Sequence, residues 1–284
     1  MINQITSLKA YAKINLYLKI IRKLNNNYHE IQTLFGFCNI YDQINVYKND
    51  KNSVIFKGPF SKGIKKNNTI YKLLNILNKN KIINLKIEVI KNIPQGSGMG
   101  GASSNAAAVL NFINSFYKFN LNKKKIKHIS NKIGADVYPC INTKLKYFKS
   151  NKLIEINKKI KSNILLIYPN YKNSTKTIYN LNHVYSKKRN NLIFLKKNIS
   201  NSYKFYKFLN FEGNDLESAA FKSNKKTLEL LSFLKQLKGC AYASMTGSGS
   251  ACFVFFNNDK HLTSAIFILK KRYKTYWIKK TKIL

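Results

Sequence analysis

The sequence predicts a protein of mixed strands and helices, long enough for two modest domains. Three observations carry that expectation. Apolar residues alternate with period two over residues 10–20 and recur at helical spacing over residues 67–80, 104–117 and 122–133. The 284 residues can bury a sizeable core. A hydrophobic content of 44% with 13% aromatics belongs to a globular chain rather than a disordered one.

Composition narrows the function classes. No apolar run reaches the length of a membrane span, and the opening MINQITSLKAYAKIN lacks the apolar stretch of a secretion signal, so the cytoplasm is the expected compartment. The four cysteines, Cys38, Cys140, Cys240 and Cys252, are scattered in apolar surroundings without CxxC pairing, which predicts buried free thiols and no structural metal. The net charge of +40 raises nucleic acid as a partner. Yet the lysines are spread through every segment among Asn, Ile, Tyr and Phe, as AT-biased codon usage would produce. Neither nucleic acid nor membrane is therefore expected as a partner, although such a field gathers polyphosphates.

Taking the elements in order, residues 10–20 place Ile14, Leu16, Leu18 and Ile20 on one side of a strand and Lys13, Asn15, Tyr17 and Lys19 on the other. A half-buried strand follows, with Lys13 read from composition as a solvated charge. After Asn25, Asn26 and Asn27 comes YHEIQTLF at residues 28–35. Taken alone, His29 there reads as an ordinary structural histidine. Residues 44–48 and 53–57 carry strand-like runs, and residues 67–80 form a helix with Ile70, Leu73, Leu74 and Leu77 inward and Asn68 at its entry. A strand over residues 85–90 then leads through Lys91 to a glycine-rich loop.

That loop, PQGSGMGGASSN at residues 94–105, holds the most informative residues: Pro94, Gln95, Gly96, Ser97, Gly98, Met99, Gly100, Gly101, Ala102, Ser103, Ser104 and Asn105. Four glycines let backbone N–H groups approach a bulky anion, and Ser103 or Ser104 reads as the N-cap of a helix whose positive end favours phosphate. No lysine follows the last glycine, so this is not a P-loop. No Asp or Glu lies between Glu88 and Asp136, so the GxGxxG match at Gly96, Gly98 and Gly101 is not a dinucleotide fingerprint. A cradle for a nucleoside triphosphate is the better reading, beside that of a plain flexible Gly/Ser turn between a strand and a helix.

Beyond it, a helix over residues 104–117 and a second over 122–133, closed by Gly134, lead to Asp136, read as a buried carboxylate that must be paired or functional. Residues 145–156 and 164–167 read as strands, and the basic, aromatic residues 186–210 as a helical pair with snorkelling lysines rather than an RNA surface. Glu217, in NDLE at residues 214–217, reads as structural. A second glycine turn, MTGSGSAC at residues 245–252, precedes a strand over residues 253–256.

Several of these segments together resemble the GHMP kinases, the superfamily of galactokinase, homoserine, mevalonate and phosphomevalonate kinases. AKINLYL at residues 12–18 is similar to the first superfamily motif, PQGSGMGGASS to the second and MTGSGSAC to the third. YHEIQTLF and GADV at residues 134–137 narrow the resemblance to the branch acting on 4-diphosphocytidyl-2-C-methyl-D-erythritol. The resemblance implies an α+β two-domain GHMP kinase fold: residues 1–150 resemble a ribosomal protein S5 domain 2-like unit that binds ATP, residues 151–284 a ferredoxin-like unit, and the active site lies between them. It implies ATP with Mg²⁺ as cofactors and phosphorylation of the acceptor's 2-hydroxyl in non-mevalonate isoprenoid synthesis, by a monomer or weak homodimer.

By the same resemblance, Lys13 and Asp136 are catalytic, and residues 94–105 with Asn68 and Lys91 bind ATP, Asn68 reading equally well as a plain N-cap. Asn15, Tyr28, His29, Tyr179, Gly247, Ser248 and Gly249 bind the acceptor. The sequence departs from the pattern at Asn27, where the branch has Gly, and at Tyr138, which displaces the expected proline to Pro139. The rivals are another GHMP kinase, of homoserine or mevalonate type, and a basic RNA-binding protein on a related fold.

Overall fold

The computed structural model describes residues 4–25, 28–78 and 82–284; Asn27 and the end of the helix expected to reach residue 80 lie outside them. Contacts group the chain into two compact units. Unit 1 comprises Met1–Lys13, Ile40–Gln95 and Gly100–Thr143, and unit 2 comprises Ile14–Asn39, Gly96–Met99 and Lys144–Leu284. The units are therefore interleaved in sequence. Two 20-residue strands, β1 (Gln4–Lys23) and β2 (His29–Lys48), and the glycine loop each give residues to both.

The burial of β1 differs from the expected half-buried strand. Every residue from Ala12 to Leu18 is buried, including Lys13 and Asn15 at 5% exposure each. The polar face is covered as well as the apolar one. The Asn15 side chain donates to Thr33 Oγ1 at 2.9 Å, and the Tyr17 ring packs edge-on against Phe208.

In unit 1, β3 (Ser53–Lys57) is followed by α1 (Thr69–Leu77), β4 (Leu85–Ile90), α2 (Gly101–Phe116) and α3 (Lys123–Ile133). β4 runs parallel to β3 and antiparallel to Gln43–Lys48 of β2. α1 buries Ile70, Leu73, Leu74 and Leu77, as the spacing predicts. Its N-cap is Asn68, whose Oδ1 accepts from the Ile70 and Tyr71 amides at 3.0 and 3.2 Å.

The start of α2 corrects the expected serine cap: the helix begins at Gly101, with Gly100 as N-cap at φ +66° and no side-chain cap. A left-handed glycine lets the chain turn into the helix three or four residues earlier than a Ser103 or Ser104 cap would. α3 has the expected limits, with Asn122 capping it, but Gly134 at φ 172° is extended rather than left-handed. The chain leaves through a tight turn instead, in which the Val137 amide donates to the Gly134 carbonyl.

In unit 2, residues 145–156 form two strands rather than one: β5 (Leu145–Lys149) and β6 (Lys152–Ile156). Ser150 and Asn151 between them both have positive φ, the geometry of a two-residue hairpin turn. β7 (Asn163–Tyr168), α4 (Thr175–Asn180), α5 (Leu192–Asn198), α6 (Ser202–Glu212), α7 (Glu217–Ser223) and α8 (Lys225–Gln236) follow. The chain ends with β8 (Cys240–Met245), β9 (Cys252–Phe256), α9 (Asp259–Arg272) and β10 (Trp277–Thr281).

These last strands make an antiparallel sheet of order β10-β7-β9-β8. Alternate residues explain its two covers. Cys252, Val254 and Phe256 join Leu230, Leu234, Leu262 and Leu269 in one core cluster, whereas Phe255 meets Phe205 and Tyr206 of α6. The expected helical pair within residues 186–210 is α5 and α6. Cys38, Cys140 and Cys252 are buried free thiols and Cys240 is half-buried.

Candidate active site

The first constellation lies in unit 1. Lys13 comes from β1, and Asp136 from the turn after α3. Lys13 Nζ stands 3.4 Å from Asp136 Oδ2. The lysine side chain is 6% exposed but the aspartate 57%, which corrects the expected burial of the carboxylate. Only the cation is withdrawn from water. The displaced Pro139 is absorbed in a 3-10 turn over Tyr138–Cys140, so the extra residue leaves the Lys13–Asp136 pair intact.

Gly100 lies against the stem of that lysine: a Cβ there would be 3.2 Å from Lys13 Cβ and 3.3 Å from Cε. The glycine thus allows the loop to lie directly on the lysine's aliphatic stem. From this point α2 begins with no side-chain cap and no acidic residue in its first turn, so its leading N–H groups remain directed at whatever lies before the helix. Two side-chain oxygens nearby, Ser104 Oγ and Asn105 Oδ1, are buried without a hydrogen-bond partner. Orphaned buried acceptors are rare enough to call for a ligand, ion or water.

The other unit 1 residues expected at the nucleotide have identifiable local roles. Asn68 caps α1, and its amide donates to the Lys65 and Lys66 carbonyls at 3.2 and 3.0 Å. Thr69 Oγ1 donates to the Ala102 carbonyl at 2.9 Å, tying the start of α1 to the first turn of α2. Gln95 donates to the Lys62 carbonyl at 3.0 Å. The ammonium of Lys91, buried, is paired with the carboxylate of Asp42, a residue that sequence reasoning missed. Burial lowers the Lys91 pKa despite that partner. A lone Asp in the apolar run NIYDQINVY was the available signal.

The second constellation lies in unit 2, which holds the loop tip Gly96–Met99 and the second glycine turn. The Ala251 amide donates to the Ser97 carbonyl at 3.0 Å, and Thr246 Oγ1 donates to the Gly98 carbonyl at 3.4 Å. A Cβ on Gly98, at φ +81°, would overlap the Thr246 carbonyl oxygen. Only glycine permits that approach. Thr246 Oγ1 also accepts from the Asn15 amide at 2.9 Å, a support that the motif MTGSGSAC contains without revealing its partner.

The turn containing Gly247, Ser248 and Gly249 is itself anchored. Asn214 donates to the Met245 and Gly247 carbonyls at 2.8 and 2.9 Å. Asn173 donates to the Ser248 carbonyl at 3.0 Å. Glu217 accepts from Ser244 Oγ at 2.6 Å and the Met245 amide at 3.1 Å, in the structural role expected, and burial raises its pKa. Elsewhere in the unit the rings of His29 and Tyr179 meet at 5.0 Å, tilted by 45°, with Tyr28 beside them in sequence and 66% exposed. Burial first, and the charge of Lys23 second, lower the His29 pKa. The His29 imidazole thus lies against the Tyr179 ring with its uncharged form favoured.

A loop of N–H groups resting on a lysine that pairs with an accessible carboxylate is the equipment of a small-molecule kinase. Family comparison defines the class: the GHMP kinases N terminal domain matches residues 68–144, and the GHMP kinases C terminal domain matches residues 195–275.

Curated relatives narrow it. The chain is 36% identical over 283 residues to a 4-diphosphocytidyl-2-C-methyl-D-erythritol kinase of Pelagibacter ubique (strain HTCC1062), covering 98% of both chains. It is 31% identical to the one of Ehrlichia chaffeensis (strain ATCC CRL-10679 / Arkansas), covering 97% of this chain and 98% of that one. The chain belongs to the 4-diphosphocytidyl-2-C-methyl-D-erythritol kinase family of the GHMP kinases. The fold agrees. A crystal structure of a 4-(cytidine 5'-diphospho)-2C-methyl-D-erythritol kinase superposes with TM-score 0.76 at 22% identity, covering 98% of this chain and 99% of that one. Homoserine kinase from Cytophaga hutchinsonii ATCC 33406 gives TM-score 0.68 at 16% identity, covering 98% and 94%.

Proposed function

We propose that this protein transfers the γ-phosphoryl group of ATP to the 2-hydroxyl of 4-diphosphocytidyl-2-C-methyl-D-erythritol, yielding the 2-phosphate and ADP, in the non-mevalonate route to isoprenoid precursors. Beyond family membership, one observation carries the reading: Lys13, 3.4 Å from Asp136, runs its stem against Gly100, where the nucleotide loop enters α2.

The amides of residues 94–105 and the first turn of α2 grip the ATP phosphates. Asp136 accepts or orients the acceptor's hydroxyl proton, a contribution of about 10²–10⁴ in rate. Lys13 offsets the negative charge that gathers as the phosphoryl group moves. Tyr28, His29 and Tyr179 hold the cytosine, by stacking and by one edge hydrogen bond. Asn15 and residues 247–249 hold the rest of the acceptor.

Magnesium fits this residue set. No group of three or more His, Cys, Asp or Glu gathers among the described residues, but Mg²⁺ is commonly held by one or two carboxylates and the substrate phosphates. Ser104 Oγ, with its unmet hydrogen bond, is the side-chain oxygen that would hold it beside the ATP phosphates. When bound, the ion neutralises phosphate charge.

No described helix is long and apolar enough to cross a membrane. A cytoplasmic monomer or weak homodimer, with sequence domains at 1–150 and 151–284, completes the proposal. The test is purified protein with ATP, Mg²⁺ and 4-diphosphocytidyl-2-C-methyl-D-erythritol, with the product's mass as readout. The expected result is the acceptor's mass increased by one phosphoryl group. Phosphorylation of homoserine or mevalonate with none of the cytidylylated acceptor would overturn it.

A further inference from the structure

We propose that Asp42 is a positioning residue for the nucleotide loop, one buried carboxylate that holds the chain entering the loop and, through Lys91, the first turn of the helix leaving it. The inference rests on the reading of residues 94–105 as the ATP loop.

Asp42 lies on β2 within unit 1 and is fully buried. Its Oδ1 accepts from the Asn92 and Ile93 amides at 2.7 and 2.9 Å, and its Oδ2 meets Lys91 Nζ. Three donors thus converge on a single acid. They belong to the three consecutive residues before Pro94, so the carboxylate clamps the backbone just before the loop opens. Such clustering compensates the cost of burying the charge.

The second half of the argument is at the loop's exit. A Cβ on Gly101, the first residue of α2, would lie 3.1 Å from Ile93 Cγ2 and 3.4 Å from Lys91 Nζ. The helix therefore starts directly on two residues that Asp42 fixes, one through its amide and one through its ammonium. A cation at that place adds to the positive end of α2, which is what a phosphate meets. It also accounts for why the ammonium of Lys91 is directed at Asp42 and withdrawn from solvent. Lys91 serves the nucleotide from beneath the loop.

Phosphate amides misplaced by a fraction of an ångström lose much of their effect, so releasing Asp42 weakens nucleotide binding selectively. Asp42→Asn keeps an acceptor for the two amides and removes the charge that holds the ammonium. Burial already presses Lys91 toward the neutral amine, so this variant need not retain an unpaired cation.

The experiment compares wild type, Asp42→Asn, Lys91→Met and the double variant by ADP titration calorimetry, thermal melting and steady-state kinetics. The expected result is an ADP Kd and an ATP KM raised about tenfold or more in each single variant, with the acceptor KM within about twofold of wild type. The double variant is no weaker than the worse single one, because the two residues act as one device. A merely structural pair would lower the melting temperature and leave the ADP Kd of the folded protein at the wild-type value, which overturns the inference. Additive losses overturn it too, since they mean that Lys91 touches nucleotide independently of Asp42.

If Asp42→Asn does not fold, Lys91→Met, with Asp42 still on its two amides, decides by the same ADP Kd. Failure of the underlying reading is separable: wild-type protein that binds no ADP removes the ATP loop itself. Wild type that binds ADP but leaves the cytidylylated acceptor unchanged removes only the acceptor.

Discussion

Lys13 and Asp136 join a buried cation to a solvent-facing carboxylate across 3.4 Å. An ion pair built for stability gains little from so exposed a partner, because water screens it. An ion pair built to meet an incoming alcohol needs that exposure. In the proposed function the asymmetry gives the two residues different work, the lysine lying buried and the carboxylate facing solvent.

Asp136→Asn keeps the shape and loses the proton acceptor. We expect kcat to fall by about 10²–10⁴ while the ADP Kd changes by no more than about twofold. Steady-state kinetics alongside calorimetry checks this. Near-wild-type turnover would remove Asp136 from the mechanism.

Gly98→Ala introduces a methyl group against the Thr246 carbonyl at φ +81°. We expect a loss of stability of roughly 1–3 kcal/mol together with a raised ATP KM, since relieving the clash moves the loop tip. Thermal melting and ATP titration test the pair of effects. A variant unchanged in both would show that the two glycine turns do not depend on this approach.

His29 titrates below the ordinary histidine value because burial and Lys23 disfavour its charged form. A depressed pKa contributes stability that is present above the unfolded value and lost as pH falls through the folded one. The acceptor KM should therefore stay flat as pH drops past the ordinary histidine range and rise only at lower pH. His29→Asn should abolish that acid limb, and a limb that survives the substitution belongs to another group.

Glu217 has the opposite sign. Burial raises its pKa, so its contribution to stability is present below the unfolded value and lost as pH rises through the folded one. Glu217→Gln retains an oxygen for Ser244 Oγ and the Met245 amide without the buried charge. The melting temperature of the variant relative to wild type should rise between pH 4 and pH 8 on the order of a few degrees. A difference independent of pH would show that the carboxylate titrates as it does in the unfolded chain.

Local pattern predicted most elements well where a single period extended over the whole segment. Residues 70, 73, 74 and 77 of α1 are buried at the spacing that named them, and the limits of α3 match to a residue. Boundaries set by unusual backbone were missed. The left-handed Gly100 moved the start of α2, and the left-handed Ser150 and Asn151 divided one expected strand into a hairpin. Motifs named the candidate site residues and contained Thr246 and Asn214, but not the supporting contacts these two make, and Asp42 lies outside every motif. A support acts through partners distant in sequence, such as Lys91 for Asp42 and Asn15 for Thr246.

What the chain order determined by itself was the set of elements, the two glycine turns and the chemistry gathered in them, because periodicity and backbone freedom are properties of neighbouring residues. What only the tertiary structure decided was burial: that the polar face of β1 is covered, that Asp136 stays in water, and that Lys91 turns to Asp42. Burial depends on which distant segments cover a side chain. That covering sets whether a charge is screened, paired or available to react.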